Sequence, residues 1–356
     1  MSEFAAPSIV TEKNPFTHYY AQLLHQGNML ADHVRTSTYQ QAFLENAADF
    51  KDKVVLDVGT GTGILAFFAV QAGARKVYAV EASDSAEIAQ KISVANGYDK
   101  KVVIVKGKLE EITLPEKVDI IISEPIGFLL VHERMLESYA YARKHFLKPG
   151  GLMFPSTGSI VLAPITDAAL HSEQAAKTVF WDNSDFYGVD LRCAMPLANE
   201  EYYSQPIVGY FPISGVISPN RTVHTIDFGA VEVEELHKFT IDYVFRIDKT
   251  SIMHGIGGWF DIHFLGTTKT VVLSTAPDAP GTHWYQCRML FHAPLAVNKG
   301  QYVSGEMHFI VNDKHSYNIE MTARLDGTDI ETSSRINLHD QQYNYLYSAE
   351  GATPAA

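Results

Sequence analysis

The chain has 356 residues, enough for two domains, and its 46% hydrophobic and 19% charged residues are ordinary globular composition rather than that of a disordered or fibrous chain. A formal charge of -13 at pH 7 argues against a direct role on DNA or RNA and suits cationic partners such as basic peptides, although solubility alone would also account for it. The two cysteines, Cys193 and Cys287, have no metal-type spacing and form no disulfide framework, and no run is long and apolar enough for a membrane span or a signal-peptide core.

In chain order, residues 1–15 are polar and Pro-bearing and are expected to fray, as are residues 348–356. Residues 18–46 read as helices, with Leu23, Leu24, Met29, Leu30, Val34 and Phe43 near helical spacing and Gly27 as an interruption. From residue 51 to about 155, short apolar runs alternate with helical stretches. The runs at 54–57, 76–81, 102–105 and 118–122 are continuous and β-branched, as strands covered on both faces are. This alternation predicts a parallel, doubly wound sheet. After Phe154-Pro155 the pattern becomes short alternating strands, at 159–163, 240–245, 259–264, 271–274 and 317–321. Turn signals Lys299-Gly300 and Asp326-Gly327 stand between them. Residues 156–347 therefore read as an antiparallel barrel or sandwich, with a more helical, aromatic-rich stretch at 167–206.

Asp57-Val58-Gly59-Thr60-Gly61-Thr62-Gly63 joins the first strand to a helix. Alternate glycines let the backbone approach a ligand where a Cβ would clash. The third glycine comes one residue earlier than in a dinucleotide turn, and an acid precedes the first. That spacing suits a nucleoside with an amino-acid tail, although a ligand-free strand-helix turn has the same glycines. Glu81 ends the second strand, where its carboxylate can accept from ribose hydroxyls; a helix N-cap role is the alternative. Glu110 follows the third strand and can accept from an adenine amino group or stand as a solvated charge.

The stretch 123–135 carries two carboxylates, Glu124 after a strand and Glu133 after a short loop containing Pro125 and Gly127. Aimed into one pocket, they repel unless a cation lies between them, and a planar guanidinium fits best. The alternative is a surface pairing of Glu133 with Arg134. Two unit charges about 4 Å apart repel by about 4 kcal/mol at an effective dielectric near 20, so two carboxylates would offset the meeting of a cationic cofactor with an arginine.

These segments, the glycine turn at 54–65, the two-glutamate loop at 123–138 and Thr282-His283-Trp284, together with Val34-Arg35-Thr36 and Met153-Phe154-Pro155, resemble protein arginine methyltransferases from about residue 16 to 347. The resemblance is greatest to the coactivator-associated, type I members. It implies a helical lid over 1–50, a Rossmann-like S-adenosylmethionine-binding domain over 51–155, an antiparallel β-barrel domain over 156–347 with a helical dimerisation arm, and a frayed tail over 348–356. It further implies methyl transfer to a guanidino nitrogen of arginine in histone tails and other nuclear proteins, monomethyl and asymmetric dimethyl products, S-adenosylhomocysteine as by-product, a homodimer, and nuclear and cytoplasmic location.

Residue by residue, the resemblance places Glu124 and Glu133 on the guanidinium, and has His283 pair with Asp32 and take up the released proton. Met29 crowds the acceptor nitrogen and Tyr20 closes the lid. Arg35 binds the cofactor carboxylate. Asp57, Gly59, Gly61 and Gly63 line the methionine part, Glu81 and Ala82 the ribose, Leu109 and Glu110 the adenine, with Gln26, Ser138 and Glu124 as further contacts. Without the resemblance, His283 reads as a core histidine. Phe16, Thr17, Ile126 and Phe128 depart from the family's usual Tyr, Phe, Met and Tyr. Rival readings are an inactive methyltransferase-fold scaffold, a small-molecule methyltransferase and a nicotinamide enzyme.

Overall fold

The computed structural model describes residues 15–344, the side chains of Pro15 and Thr17 excepted. The stretches expected to fray lie outside the described residues, apart from the backbone of Pro15. Contacts divide the chain into two compact units: one runs to Glu124 and takes back Phe146–Gly151, and the other holds Pro125–His145 and the chain from Leu152 on.

The first unit begins with four helices, α1 (Pro15–Tyr20), α2 (Leu23–Ala31), α3 (His33–Glu45) and α4 (Ala47–Phe50). The expected break at Gly27 is not there. Gly27 lies inside α2, and the chain turns instead at Gln22 and Asp32, both in extended conformation. A glycine weakens a helix by about 1 kcal/mol without ending it. Asp32 does end one, because its carboxylate caps α3 by accepting from the Arg35 N–H at 2.9 Å.

The sheet follows: β1 (Val54–Val58), α5 (Ile64–Gln71), β2 (Lys76–Glu81), α6 (Ser85–Ala95), β3 (Val102–Lys106), β4 (Val118–Ser123) and, after α7 (Met135–Phe146), which belongs almost wholly to the second unit, β5 (Leu147–Phe154). The strand order is β3-β2-β1-β4-β5, with β1–β2, β2–β3 and β1–β4 parallel. Strand order reverses between β1 and β4, the switch point at which open α/β sheets bind ligands. Val58 is level with Val80 and with Ser123. The glycine turn, Glu81 and Glu124 therefore all leave one edge of the sheet from adjacent strands. The residues of β1 are all buried, as the unbroken apolar run predicts.

The second unit continues with β6 (Thr157–Ile165), α8 (Ala168–Val179), α9 (Met195–Ser204), β7 (Ile207–Gly209), β8 (Thr222–Asp227), α10 (Val233–His237), β9 (Lys238–Arg246), β10 (Ser251–Leu265), β11 (Thr270–Ser274), β12 (Gln286–Val297), β13 (Tyr302–Val311), β14 (Tyr317–Leu325), β15 (Glu331–Asn337) and β16 (Gln342–Tyr343). One sheet runs β16-β7-β12-β10-β6-β8 with β11 on β10, and the other runs β15-β14-β13-β9. β8 lies against β9 and β12 against β15, so the sheets meet along both edges as a barrel. Side chains alternate as a half-buried strand requires: Ile241, Tyr243 and Phe245 point in while Asp242, Val244 and Arg246 point out. Pairing is antiparallel except that β16 runs parallel to β7, fastened by Gln342 N–H to Pro206 O and Asn344 N–H to Val208 O.

Within 167–206, α8 and α9 are helical and residues 180–191 between them are not. Asp167 caps α8 by accepting from the Leu170 N–H at 3.0 Å. Leu170, Tyr203, Ile207 and Leu290 form a small core at the root of the arm. Towards its tip Val179, Phe180, Tyr187, Val189 and Leu197 are exposed.

Candidate functional site

In the first unit the three glycines of the turn lie in left-handed backbone. Gly59, Gly61 and Gly63 have φ of 69°, 56° and 90°, a region L side chains rarely adopt. A Cβ on Gly61 would lie 2.7 Å from Gln26 Oε1, so this glycine also lets α2 lie close. Gln26 is buried and its amide donates to Tyr20 O at 2.9 Å. Ser85 Oγ donates to the same carbonyl at 2.6 Å, which fixes the end of the helix carrying Tyr20.

Glu81 does not cap a helix, since α6 starts four residues later with Asp84 at its N-cap. Its Oε2 accepts from Gly61 N–H at 2.9 Å and its Oε1 from Ser83 N–H at 2.8 Å, so the carboxylate ties the glycine turn to β2. Each oxygen keeps a lone pair for a further donor. Ala82 is exposed, Leu109 is buried and Glu110 is exposed, the last two in a short 3₁₀ turn after β3.

Asp57 is fully buried, and burial pushes its carboxyl up to about 7 against the lowering effect of the Thr60 hydroxyl, which donates to Oδ2 at 2.5 Å. Its Oδ1 is buried without a hydrogen-bond partner among the described residues. Thr60 was not among the expected site residues. Its signal is a hydroxyl three residues after the acid, inside a turn.

Arg35 is buried, and its Nε lies 2.8 Å from Glu124 Oε1. Burial alone would lower the Arg35 pKa, but the charge of Glu124, with Tyr39 and Asp32, leaves it raised. Arg35 Nη1 also donates to Met29 O at 3.3 Å. Arg35 thus joins three residues expected at the site, Met29 and Glu124 through its guanidinium and Asp32 through its backbone N–H. Residue type did not foretell the Arg35–Glu124 contact, because the two stand 89 positions apart.

The second unit carries Glu133 and His283. Leu129, Leu130, Glu133 and Arg134 all have positive φ, between 50° and 73°. The alternative pairing of Glu133 with Arg134 gives way to another: Arg134 takes Glu137 in a bidentate contact, at 2.7 and 3.0 Å, and donates to Asn312 O at 3.1 Å. Trp284 Nε1 donates to Ile126 O at 3.3 Å and so joins the Thr-His-Trp triplet to the glutamate loop. His283 is half-buried with its ring 4.0 Å from that of Trp284, which is not the setting of a core histidine. Ser138 is half-buried on α7. Ser316, Gln341 and Asn312, which touch the residues beside Glu133, went unread because no local pattern marks them.

Residues 156–328 match the family described as the arginine methyltransferase oligomerization subdomain, and residues 32–156 match ribosomal protein L11 methyltransferase (PrmA). Protein arginine methyltransferase 10 of Arabidopsis thaliana, solved in an open conformation, superposes with a TM-score of 0.83 at 32% identity over 90% of this chain and 100% of that one. The chain belongs to the protein arginine methyltransferase family. The Trypanosoma brucei PRMT1 enzyme-prozyme complex with AdoHcy is similar too, with a TM-score of 0.79 and 32% identity over 89% of this chain and 99% of that one. Histone-arginine methyltransferase CARMER of Anopheles gambiae is 45% identical over 96% of this chain and 54% of its own length, and that of Drosophila ananassae 45% over 99% and 66%. The chain thus spans between about half and two thirds of the curated relatives it matches.

Three of the departures from the usual arginine methyltransferase pattern have a place. Phe16 packs near Tyr20, at 6.4 Å between centroids. Ile126 is buried, and Phe128 stacks on His132 at 5.7 Å. The side chain of Thr17 lies outside the described residues. Among the described residues no helix is long and apolar enough to cross a membrane, and no His, Cys, Asp and Glu cluster could hold a metal ion.

Proposed function

We propose that this chain is a protein-arginine N-methyltransferase that uses S-adenosylmethionine to make monomethyl and asymmetric dimethylarginine in proteins such as histones. The observation that carries this reading is the loop of Glu133, left-handed at a non-glycine residue and joined through Ile126 to Trp284 of the Thr-His-Trp triplet. Non-glycine residues in such conformations gather at functional sites.

The first unit fits the cofactor. A cradle without Cβ atoms, an unpartnered buried oxygen on Asp57 and the spare lone pairs of Glu81 suit a nucleoside with an amino-acid tail. S-adenosylmethionine supplies an electrophilic methyl group on a sulfonium. Arg35, Gln26, Ala82, Leu109, Glu110 and Ser138 are its further contacts in this reading. Glu124 and Glu133 take the guanidinium N–H groups and direct lone-pair density to the free nitrogen. His283, with Asp32, accepts the proton that the methylated guanidinium sheds. Met29 leaves room for a second methyl on one nitrogen and blocks rotation to the other, so the second product is asymmetric. Tyr20 closes the lid.

The exposed aromatic tip of the arm docks on a second copy, giving a homodimer. Nucleus and cytoplasm are the expected compartments, with no direct role on nucleic acid or membrane. The test is methyl transfer from the tritiated cofactor to a histone-tail arginine peptide, with the product read by fragmentation mass spectrometry. Glu133→Gln is expected to lower turnover roughly 100- to 1,000-fold with cofactor binding retained. Absence of transfer by the unmodified chain, or symmetric dimethylarginine as the only dimethyl product, overturns the assignment.

A further inference from the structure

Glu133 sits at φ 73° and Arg134 at 58°, a conformation that side chains other than glycine resist. Such angles persist when the surroundings hold them. Both neighbours of Glu133 are held, and by the same piece of the barrel. On one side His132 Nδ1 lies 2.8 Å from Ser316 Oγ, and His132 Nε2 lies 3.1 Å from Gln341 Nε2. On the other side Arg134 donates to Asn312 O. Asn312 and Ser316 close one turn between β13 and β14: Asn312 N–H donates to Ser316 O at 2.9 Å, and Ser316 N–H donates to Asn312 Oδ1 at 3.1 Å.

The polarity of the His132 contacts can be read. The Gln341 amide nitrogen also donates to Leu338 O, which sets the orientation of the amide. An amide nitrogen only donates, so His132 Nε2 accepts and its proton stays on Nδ1, donating to Ser316. Burial, with His339 nearby, pushes the imidazole down to about 4, so the ring is neutral at physiological pH. Gln341 is itself anchored, since the next residue starts β16 on β7, and Tyr343 of that strand packs edge-on against Phe128 at 6.1 Å.

We propose that His132 is a positioning residue for Glu133, and that Gln341, just before the last described strand, and the turn 312–316 aim the Glu133 carboxylate through it. The proposal rests on the reading of Glu133 as a substrate carboxylate. It makes the segment that leads into β16 part of the acceptor machinery.

The test is a double-mutant cycle on the full chain, with His132→Leu, His132→Gln, Gln341→Ala and Glu133→Gln. Peptide methylation gives kcat and KM, and calorimetry gives cofactor affinity. His132→Leu and Gln341→Ala are expected to lower kcat/KM for the arginine peptide about 10- to 100-fold, as misplacement of a reacting group by about 1 Å does, without changing cofactor affinity. His132→Gln, which can accept from Gln341 and donate to Ser316, should recover most of the loss. In the Glu133→Gln background His132→Leu should cost nothing further. Near-normal turnover of Glu133→Gln would refute the substrate-carboxylate reading itself. An impaired Glu133→Gln with a fully additive His132 effect overturns this proposal alone. Should His132→Leu fail to fold, Gln341→Ala and the imidazole nitrogen shifts of the unmodified protein decide: a proton on Nδ1 supports the arrangement, and a proton on Nε2 overturns it.

Discussion

The glycine turn and the Glu133 loop both need left-handed backbone, and they obtain it by opposite means. At 59–63 the chain uses Gly59, Gly61 and Gly63, for which such angles are not strained, and the ties to Glu81 and Thr60 come from within about one strand-helix-strand unit. At 129–134 it uses Leu129, Leu130, Glu133 and Arg134, and the loop is held by residues more than 150 positions away. Each site therefore draws its support from a different range of the chain. The first is tied within neighbouring strands, and the second is tied in addition across the barrel.

One contact in the first unit does not follow this pattern, and removing it gives the largest expected effect. Arg35→Ala leaves Glu124 half-desolvated without its cation. Breaking one side of a buried pair typically costs about 3–5 kcal/mol, and the Arg35 and Glu124 side chains are only 7% and 13% exposed. Urea unfolding should show a loss of that order. A change below about 1 kcal/mol would mean that the edge of the sheet at Glu124 is as self-sufficient as the glycine turn.

Asp57 comes next. Its folded pKa is raised to about 7, so between about pH 4 and 7 the unfolded chain has lost a proton that the folded chain keeps. Folded stability from this group is therefore fully present below about pH 4 and declines as pH rises towards 7. Asp57→Asn removes that decline. Relative to the parent without cofactor, the variant should gain about 2–4 kcal/mol between pH 4.5 and 7.5, at 1.36 kcal/mol per pKa unit. A stability difference that stays constant over this range would show that the carboxyl titrates normally.

The same contrast explains what was legible in the sequence. Strands β1 to β4 were plain because unbroken β-branched runs are what a two-sided sheet needs, and the glycine turn was plain because its chemistry is written in consecutive residues. Glu124 and Glu133 were readable as candidates through their spacing, and His283 only through the resemblance. The ties that hold them were not. Ser316 and Asn312 look like any hairpin turn, and Gln341 is one glutamine beside another. Gln286–Val297 went unread as a strand because its first six residues are all buried, so it lacks alternation. The Gly27 expectation failed because a glycine lowers helix propensity without supplying a stop, whereas Asp32 supplies a cap.

A smaller effect tests the local half of the comparison. Gly61→Ala places a methyl 2.7 Å from Gln26 Oε1 on a backbone at φ 56°. Left-handed strain of about 1–2 kcal/mol follows from the angle alone, and Gln26 can swing away at further small cost. The expected loss is about 1–3 kcal/mol, with cofactor affinity by calorimetry reduced at least about tenfold because the cradle is filled. An alanine variant that binds cofactor normally would show that the close approach at Gly61 serves packing alone.

The smallest expected effect on stability separates the two regions most sharply. Glu133→Gly keeps the loop's φ of 73° but no longer forces a side chain to adopt it. Relief of the left-handed strain contributes about 1–2 kcal/mol, and the greater freedom of glycine in the unfolded chain takes back about 0.5–1. The backbone contribution to stability should therefore be unchanged or higher by up to about 1 kcal/mol, while peptide methylation falls at least about 100-fold. In the other region glycines occupy the left-handed angles; here a glycine would suit the backbone angle better than the residue present. An urea midpoint corresponding to a loss above about 1 kcal/mol would show that the Glu133 side chain supports its own loop. The strain would then be no mark of function, and the contrast between the regions would reduce to the choice of residue.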